Sequence, residues 1–158
     1  MSDKQPGYVL HADPLWLAHH RRFSAGGRIA YCRGSGAPMH NVTVGGMLFF
    51  LPTLDPPKRV VGCAAFTHFE VLPVDEAWDR YGLALGATSF QAWQELAERI
   101  ESVRNRREIG LIVGDNFRLY PQPLVLAEVG VAEVNNAPKG WSIGSADVER
   151  LVPTVAQG

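Results

Sequence analysis

Apolar and polar positions divide this chain into segments of two kinds. Residues 47–51 and 60–69 are β-branched, aromatic or small and apolar, without alternation, as in strands buried on both faces. Between them PTLDPPKR turns the chain, because proline lacks the amide hydrogen that a ladder requires. The pair predicts a hairpin crossing the middle of a curled sheet. Residues 8–12 and 28–33 predict two shorter strands upstream. EIGLIVG, residues 108–114, predicts another buried strand ended by Gly114-Asp115-Asn116. LVLAEVGVAEV, residues 124–134, predicts one or two more strands with a turn near Gly130.

Helical segments are fewer. Asp13 can cap, Pro14 suits a first helical position, and LWLAHHRRF then gives a short helix stopped by SAGG. VDEAWDRY, residues 74–81, predicts a short helix stopped by Gly82. The clearest helix starts at Ser89 and runs to about Asn105. Thr88 and Gln91 have capping-box spacing there, and Phe90, Trp93, Leu96, Ala97, Ile100 and Val103 form one face. Trp93 is assigned to the core by that face. The tail KGWSIGSADVERLV places Trp141 in a glycine-flanked loop before a last helix. Strands outnumber helices and do not alternate with them regularly. The predicted class is therefore mixed α+β and β-rich: a small curled sheet or barrel with peripheral helices, formed as one domain over residues 1–158.

Composition narrows the setting. With 158 residues, 46% hydrophobic and 20% charged, the chain can bury a core without staples. No apolar run is long enough to span a bilayer, and the polar start MSDKQPG does not read as a signal peptide. Cys32 and Cys63 are well separated and read as reduced thiols of a cytoplasmic protein. The formal net charge of -1 hides an asymmetry. No acid lies between Asp13 and Asp55, a stretch that holds Arg21, Arg22, Arg28, Arg33, His19, His20 and His40. Such a stretch is either a solvated face or a contact for anions or phosphates.

Catalytic signatures are missing from the sequence. It has no GxSxG, no phosphate-cradling loop and no HExxH, and Gly26-Gly27 and Gly34-Ser35-Gly36 are too short for a nucleotide fingerprint. The pairs His11/Asp13 and His19/His20 do not supply the three or four convergent ligands of a zinc site. Nothing local supports a dyad with Cys32. The expectation is no catalytic residue, no metal and no cofactor. The aromatics say more: Trp16, Tyr31, Trp78 and Trp141 fall in or beside turns, where they can cap a small barrel or hold a planar base by stacking.

The opening hairpin also resembles a known pattern. VTVGGMLFFLPTLDPPKRVVGCAAF is similar to the signature of the PUA-like superfamily, in particular its EVE and ASCH branches, where a "vGD.vlFy" strand precedes a variable loop and an "iiGia.v" strand. Val44-Gly45-Gly46-Met47-Leu48-Phe49-Phe50 matches the first part, and Val60-Val61-Gly62-Cys63-Ala64-Ala65-Phe66 the second. AWDRYG, the helix after it, IGLIVGDNFRLYPQPLVL and GWSIG continue the likeness over about residues 8–143. GWSIG is similar to the tail of EVE-like modules attached to HNH nucleases in bacterial restriction systems. Gly46 stands where the pattern has an acid, and no HNH motif is present.

The resemblance implies a PUA-like pseudobarrel whose concave pocket reads nucleic acid, with the hairpin as the pocket floor. The partner is DNA or RNA, carrying a modified base taken into an aromatic cage, and a separate nuclease would do any cutting. By position, Trp16, Tyr31, His40 and Asn41 are the cage and base-edge candidates, and Arg21, Arg22, Arg28 and Arg33 the phosphate contacts. The competing implications are an enzyme acting on nucleic acid or modified nucleosides, as some ASCH-type relatives imply, or a protein-interaction module of a nuclease or toxin system.

Overall fold

A computed structural model describes residues 5–23, 27–33, 42–99, 108–135, 137 and 139–152. Six strands of the described residues form one sheet: β1 (Gln5–His11), β2 (Ile29–Arg33), β3 (Val42–Leu51), β4 (Arg59–Pro73), β5 (Glu108–Val125) and β6 (Gly140–Ile143). Their order is β2-β5-β4-β3-β1-β6. The β3–β4 hairpin occupies the two central places, and this explains its composition. Leu48, Phe49, Phe50 and Leu51 are all buried because both faces of the sheet are covered. β1 runs parallel to β3, with Val9 opposite Phe49, and antiparallel to β6, with Val9 opposite Trp141.

β4 and β5 are long and bent. Their register shifts three times, between Val60 and Gly62, Cys63 and Ala65, and Phe66 and His68, and each irregularity adds twist. The predicted stop at Gly114-Asp115-Asn116 is one of these bends rather than an end. Asn116 adopts a φ of 58°, which asparagine tolerates better than most residues, and the strand continues to Val125. Accordingly, residues 124–134 supply the end of β5, a turn and an irregular segment instead of further strands. The segment around Trp141 is a strand rather than a loop. Gly140, at a φ of 123°, lets it approach β1, where a Cβ would stand 2.0 Å from the Val9 carbonyl oxygen.

Among the described residues, four helices pack around the sheet: α1 (Pro14–Arg22), α2 (Val74–Tyr81), α3 (Phe90–Glu98) and α4 (Ser145–Leu151), with a 3-10 turn at Gly82–Leu85. The start of α3 is capped by Ser89, whose hydroxyl accepts from the Ala92 amide at 3.1 Å, rather than by Thr88. Side chains from β1 to β5, among them Leu10, Ile29, Leu48, Phe50, Ala64 and Ile112, converge with Trp16 and Leu17 of α1 in one cluster. A sheet whose strands share one nucleus must curl around it. Alternate residues pack outward: Ala30, Leu111 and Val113 against α2, α3 and the 3-10 turn, and Phe49, Leu51 and Cys63 against the α4 end. Trp93 is fully buried as predicted, and its indole N–H donates to the Val74 carbonyl at 2.8 Å. Among the described residues, no helix is long and apolar enough to cross a membrane.

Candidate functional site

A cavity of about 270 Å³ opens where α1, the edge strand β2 and α3 meet. Asp13, Leu15 and Trp16 line it from α1 and its cap, Tyr31 and Cys32 from β2, Gly86 from the end of the 3-10 turn, and Leu96 and Arg99 from α3. Its volume falls just below the roughly 300–1,000 Å³ of pockets for drug-sized ligands, which suits a single planar ring system. A second hollow of about 270 Å³ adjoins it, sharing Leu15, Gly86, Leu96 and Arg99 and adding His19, Thr88 and Glu95.

Local sequence explains the walls. Asp13 caps α1, its Oδ1 accepting from the Leu15 amide at 2.7 Å. The Asp13 amide in turn donates to the Tyr31 hydroxyl at 3.1 Å, which ties the start of the helix to β2. Trp16 stands edge-on to Tyr31, with ring centres 5.0 Å apart and planes at 89°. Being only 4% exposed, Trp16 offers the cavity little of its ring and chiefly supports Tyr31, which is half-buried. Gly86 makes room for the indole. It has a φ of 95°, and a Cβ there would lie 2.4 Å from Trp16 Cδ1. Beneath Trp16 lies Phe50 of the hairpin, at 5.5 Å. The hairpin is thus one layer below the cavity and does not itself form the floor.

α1 is fastened to the 3-10 turn by two histidines. His19 Nε2 lies 2.8 Å from the Leu83 carbonyl oxygen. His20 is buried between Trp16, at 4.3 Å, and Phe117, at 5.5 Å, and bonds to the Ala84 backbone. Among the described residues, its Nε2 has no hydrogen-bond partner. Burial, together with the neighbouring His19, lowers its pKa from the ordinary 6.5 to about 4, so the ring is neutral at pH 7. Burial pushes the Cys32 thiol up, which keeps it protonated and unsuited to nucleophilic attack.

The predicted site residues separate into three groups. Trp16 and Tyr31 share the cavity. His40 and Asn41 lie outside the described residues, as does the side chain of Arg33 at the end of β2. Arg21, Arg22 and Arg28 are exposed and do not line the cavity. Arg22 lies over the Phe23 ring at 5.5 Å, and Arg28 pairs with Asp115 at 3.1 Å. Arg99, the arginine that lines the cavity, escapes a sequence reading because tertiary packing alone brings the end of α3 beside α1. Asp13 is legible as a cap, yet nothing in the sequence marks its carboxylate as part of a cavity wall.

A second polar cluster joins β4 to α2. Glu70 accepts from the Tyr81 hydroxyl and, through the same oxygen, meets His68 Nε2 at 2.7 Å. Its other oxygen accepts from Arg80 at 2.8 Å, and Arg80 also reaches Glu76 at 3.4 Å. Burial alone would raise the Glu70 pKa. The hydrogen bonds of Tyr81 and His68 and the charges of His68 and Arg80 outweigh it and hold the carboxylate below its ordinary value. Among the described residues, no three of His, Cys, Asp and Glu converge as metal ligands do.

The curled sheet with its peripheral helices is an ASCH/PUA-like fold. A variant of the ASCH protein from Zymomonas mobilis matches with a TM-score of 0.64 and 15% identity, over 93% of this chain and 96% of its own. The ASCH protein itself matches with a TM-score of 0.60 and 14% identity, covering 92% and 93%. The N-terminal domain of McrB from Staphylothermus marinus matches with a TM-score of 0.61 and 13% identity, covering 100% and 99%. No protein-family profile and no curated protein sequence matches the chain.

Proposed function

We propose that residues 1–158 form one nucleic-acid-binding reader module that takes a base, one carrying a modification, into the cleft between α1, β2 and α3. The observation that carries this reading is that Trp16 and Tyr31, brought from separate elements, meet in one cavity of about 270 Å³ that also holds an arginine and a carboxylate. Tyr31 supplies a ring for stacking, Trp16 braces it, and Asp13 and Arg99 face the edge of the base. The second hollow, with His19, Thr88 and Glu95, receives the neighbouring sugar or base. Extracting a base from a duplex costs a few kcal/mol, so single strands and mismatched sites are the better substrates.

Phosphates would follow α1. Arg21 and Arg22 lie six and seven residues beyond Leu15 on that helix, roughly 9–10 Å along its axis. That spans about three phosphates at the ~3.4 Å rise of one strand. Arg28 is held by Asp115 and serves less well. The resemblance of GWSIG to the tail of EVE-like modules attached to HNH nucleases supports a module that works beside a separate nuclease. Two free cysteines fit a reducing cytoplasm.

Fluorescence anisotropy with single- and double-stranded DNA and RNA, at several salt concentrations, tests the reading. Wild-type affinity is expected to fall steeply with salt, and Arg21→Glu/Arg22→Glu to weaken binding and flatten the log–log salt slope by about 1.4–1.8. An unchanged slope removes Arg21 and Arg22 from the interface. Absence of binding to every polymer, with and without modified bases, sinks the reader itself.

A further inference from the structure

Asp13 and Arg99 both line the cleft in which the proposed base would sit. Asp13 has two oxygens, and its cap consumes only one: Oδ1 takes the Leu15 amide. No hydrogen bond to Oδ2 is found among the described residues. A carboxylate accepts hydrogen bonds and donates none, whereas Arg99 only donates. A ring that satisfies both must present N–H donors beside a carbonyl or ring-nitrogen acceptor.

Resting on the reader proposed above, we infer that the cleft selects guanine-type bases, Asp13 being the residue that sets the choice. Guanine offers a carboxylate two adjacent donors, the N1–H and the N2 amino group, and offers an arginine O6 and N7. Adenine has no N1–H, and its edge would leave the carboxylate half satisfied. Cytosine offers the carboxylate a single amino group. Uracil and thymine offer one N–H between two carbonyls, which repel it. A carboxylate left unpaired against a bound base costs more than a lost neutral contact, so the selectivity it imposes is large.

Asp13→Asn makes a direct test because it preserves the fold. Asparagine caps a helix about as well as aspartate, so α1 keeps its Leu15 bond while the other side-chain atom changes from an acceptor to an N–H donor. The probes are single-stranded oligomers of constant sequence whose central base is guanine, inosine, adenine, cytosine or uracil, in ribose and deoxyribose forms. Inosine lacks only the N2 amino group. Wild type should bind the guanine oligomer at least about tenfold more tightly than the inosine one. Asp13→Asn should abolish that preference without lowering the melting temperature. Comparing the two backbones shows whether the guanine comes from RNA or DNA.

Equal binding of guanine and inosine by the wild type overturns the inference, as does a preference that survives in Asp13→Asn. Both outcomes leave the reader standing. Failure of every oligomer to bind wild type also overturns this inference, while the reader falls only if polymers carrying modified bases fail to bind as well.

Discussion

Two polar constellations sit on either side of the 3-10 turn at Gly82–Leu85, and they differ in what they leave unspent. In the β4–α2 knot, both oxygens of Glu70 are occupied, by Tyr81 and His68 on one and by Arg80 on the other. In the α1 cleft, the Asp13 cap uses one oxygen, and Arg99 lines the same cavity with no ion pair among the described residues. Buried and half-buried polar groups are costly unless paired, so a saturated knot reads as architecture. A cavity wall with spare acceptors and donors reads as a place prepared for something else. Under the function proposed above, the contrast sets β4–α2 for stability against α1–β2–α3 for recognition, and it can be broken at four points.

The largest effect is expected at Trp16, which supports the cleft and belongs to the core beneath it. Trp16→Ala should cost about 3–5 kcal/mol in denaturant unfolding, by emptying the space between Phe50, Tyr31 and Gly86. A cost under about 1 kcal/mol would mean that the indole is not packed as described.

Next is acid. The folded pKa of His20 lies below its unfolded value, so the unfolded chain binds the extra proton first as pH falls. Stability should be at its full value above about pH 6.5 and decline toward pH 4, by on the order of 2–3 kcal/mol in all. His20→Gln should flatten melting-temperature profiles within that window. A slope that persists unchanged in the variant places the titrating group elsewhere.

Glu70 behaves differently in acid. Its folded pKa is depressed, so its contribution is present above the ordinary carboxylate value, near 4.5, and is lost only as pH falls below it. Glu70→Gln should destabilise by about 1–2 kcal/mol at pH 7 while leaving oligonucleotide binding unchanged. Altered base selectivity in this variant would erase the division between knot and cleft. The smallest effect is expected at Arg28→Ala. Its pair with Asp115 is exposed, and such pairs contribute less than about 1 kcal/mol, within reach of calorimetry only as a slight shift.

Much of the sheet is legible in the sequence, because periodicity and proline report on local geometry. The β3–β4 hairpin, α1 with its Asp13 cap and α2 with its Gly82 stop follow from residues within one or two turns of each other. The bend at Asn116 does not follow in this way: glycine, aspartate and asparagine in succession punctuate most chains, and only pairing with β4 carries the strand through. β6 is hidden for the same reason, since four residues become a strand by docking on β1, more than a hundred residues earlier. The site was half visible. Trp16 and Tyr31 stand out as aromatics near turns, whereas Gly86 and Arg99 acquire meaning only when α3 is folded against α1.

The place of β1 in the sheet bears on how the chain is made. β1 is made before the other five strands, yet its neighbours are β3, which follows after some thirty residues, and β6, which is made after all of them. Until β6 is made, the outer edge of β1, Gly7 to Leu10, therefore waits without the strand that will cover it. Such non-local closure is slow, and an open edge invites pairing with other nascent chains. A translation product halted before Gly140 should accordingly be captured by chaperones or aggregate, even though the hairpin, the cleft and the knot are already encoded in it.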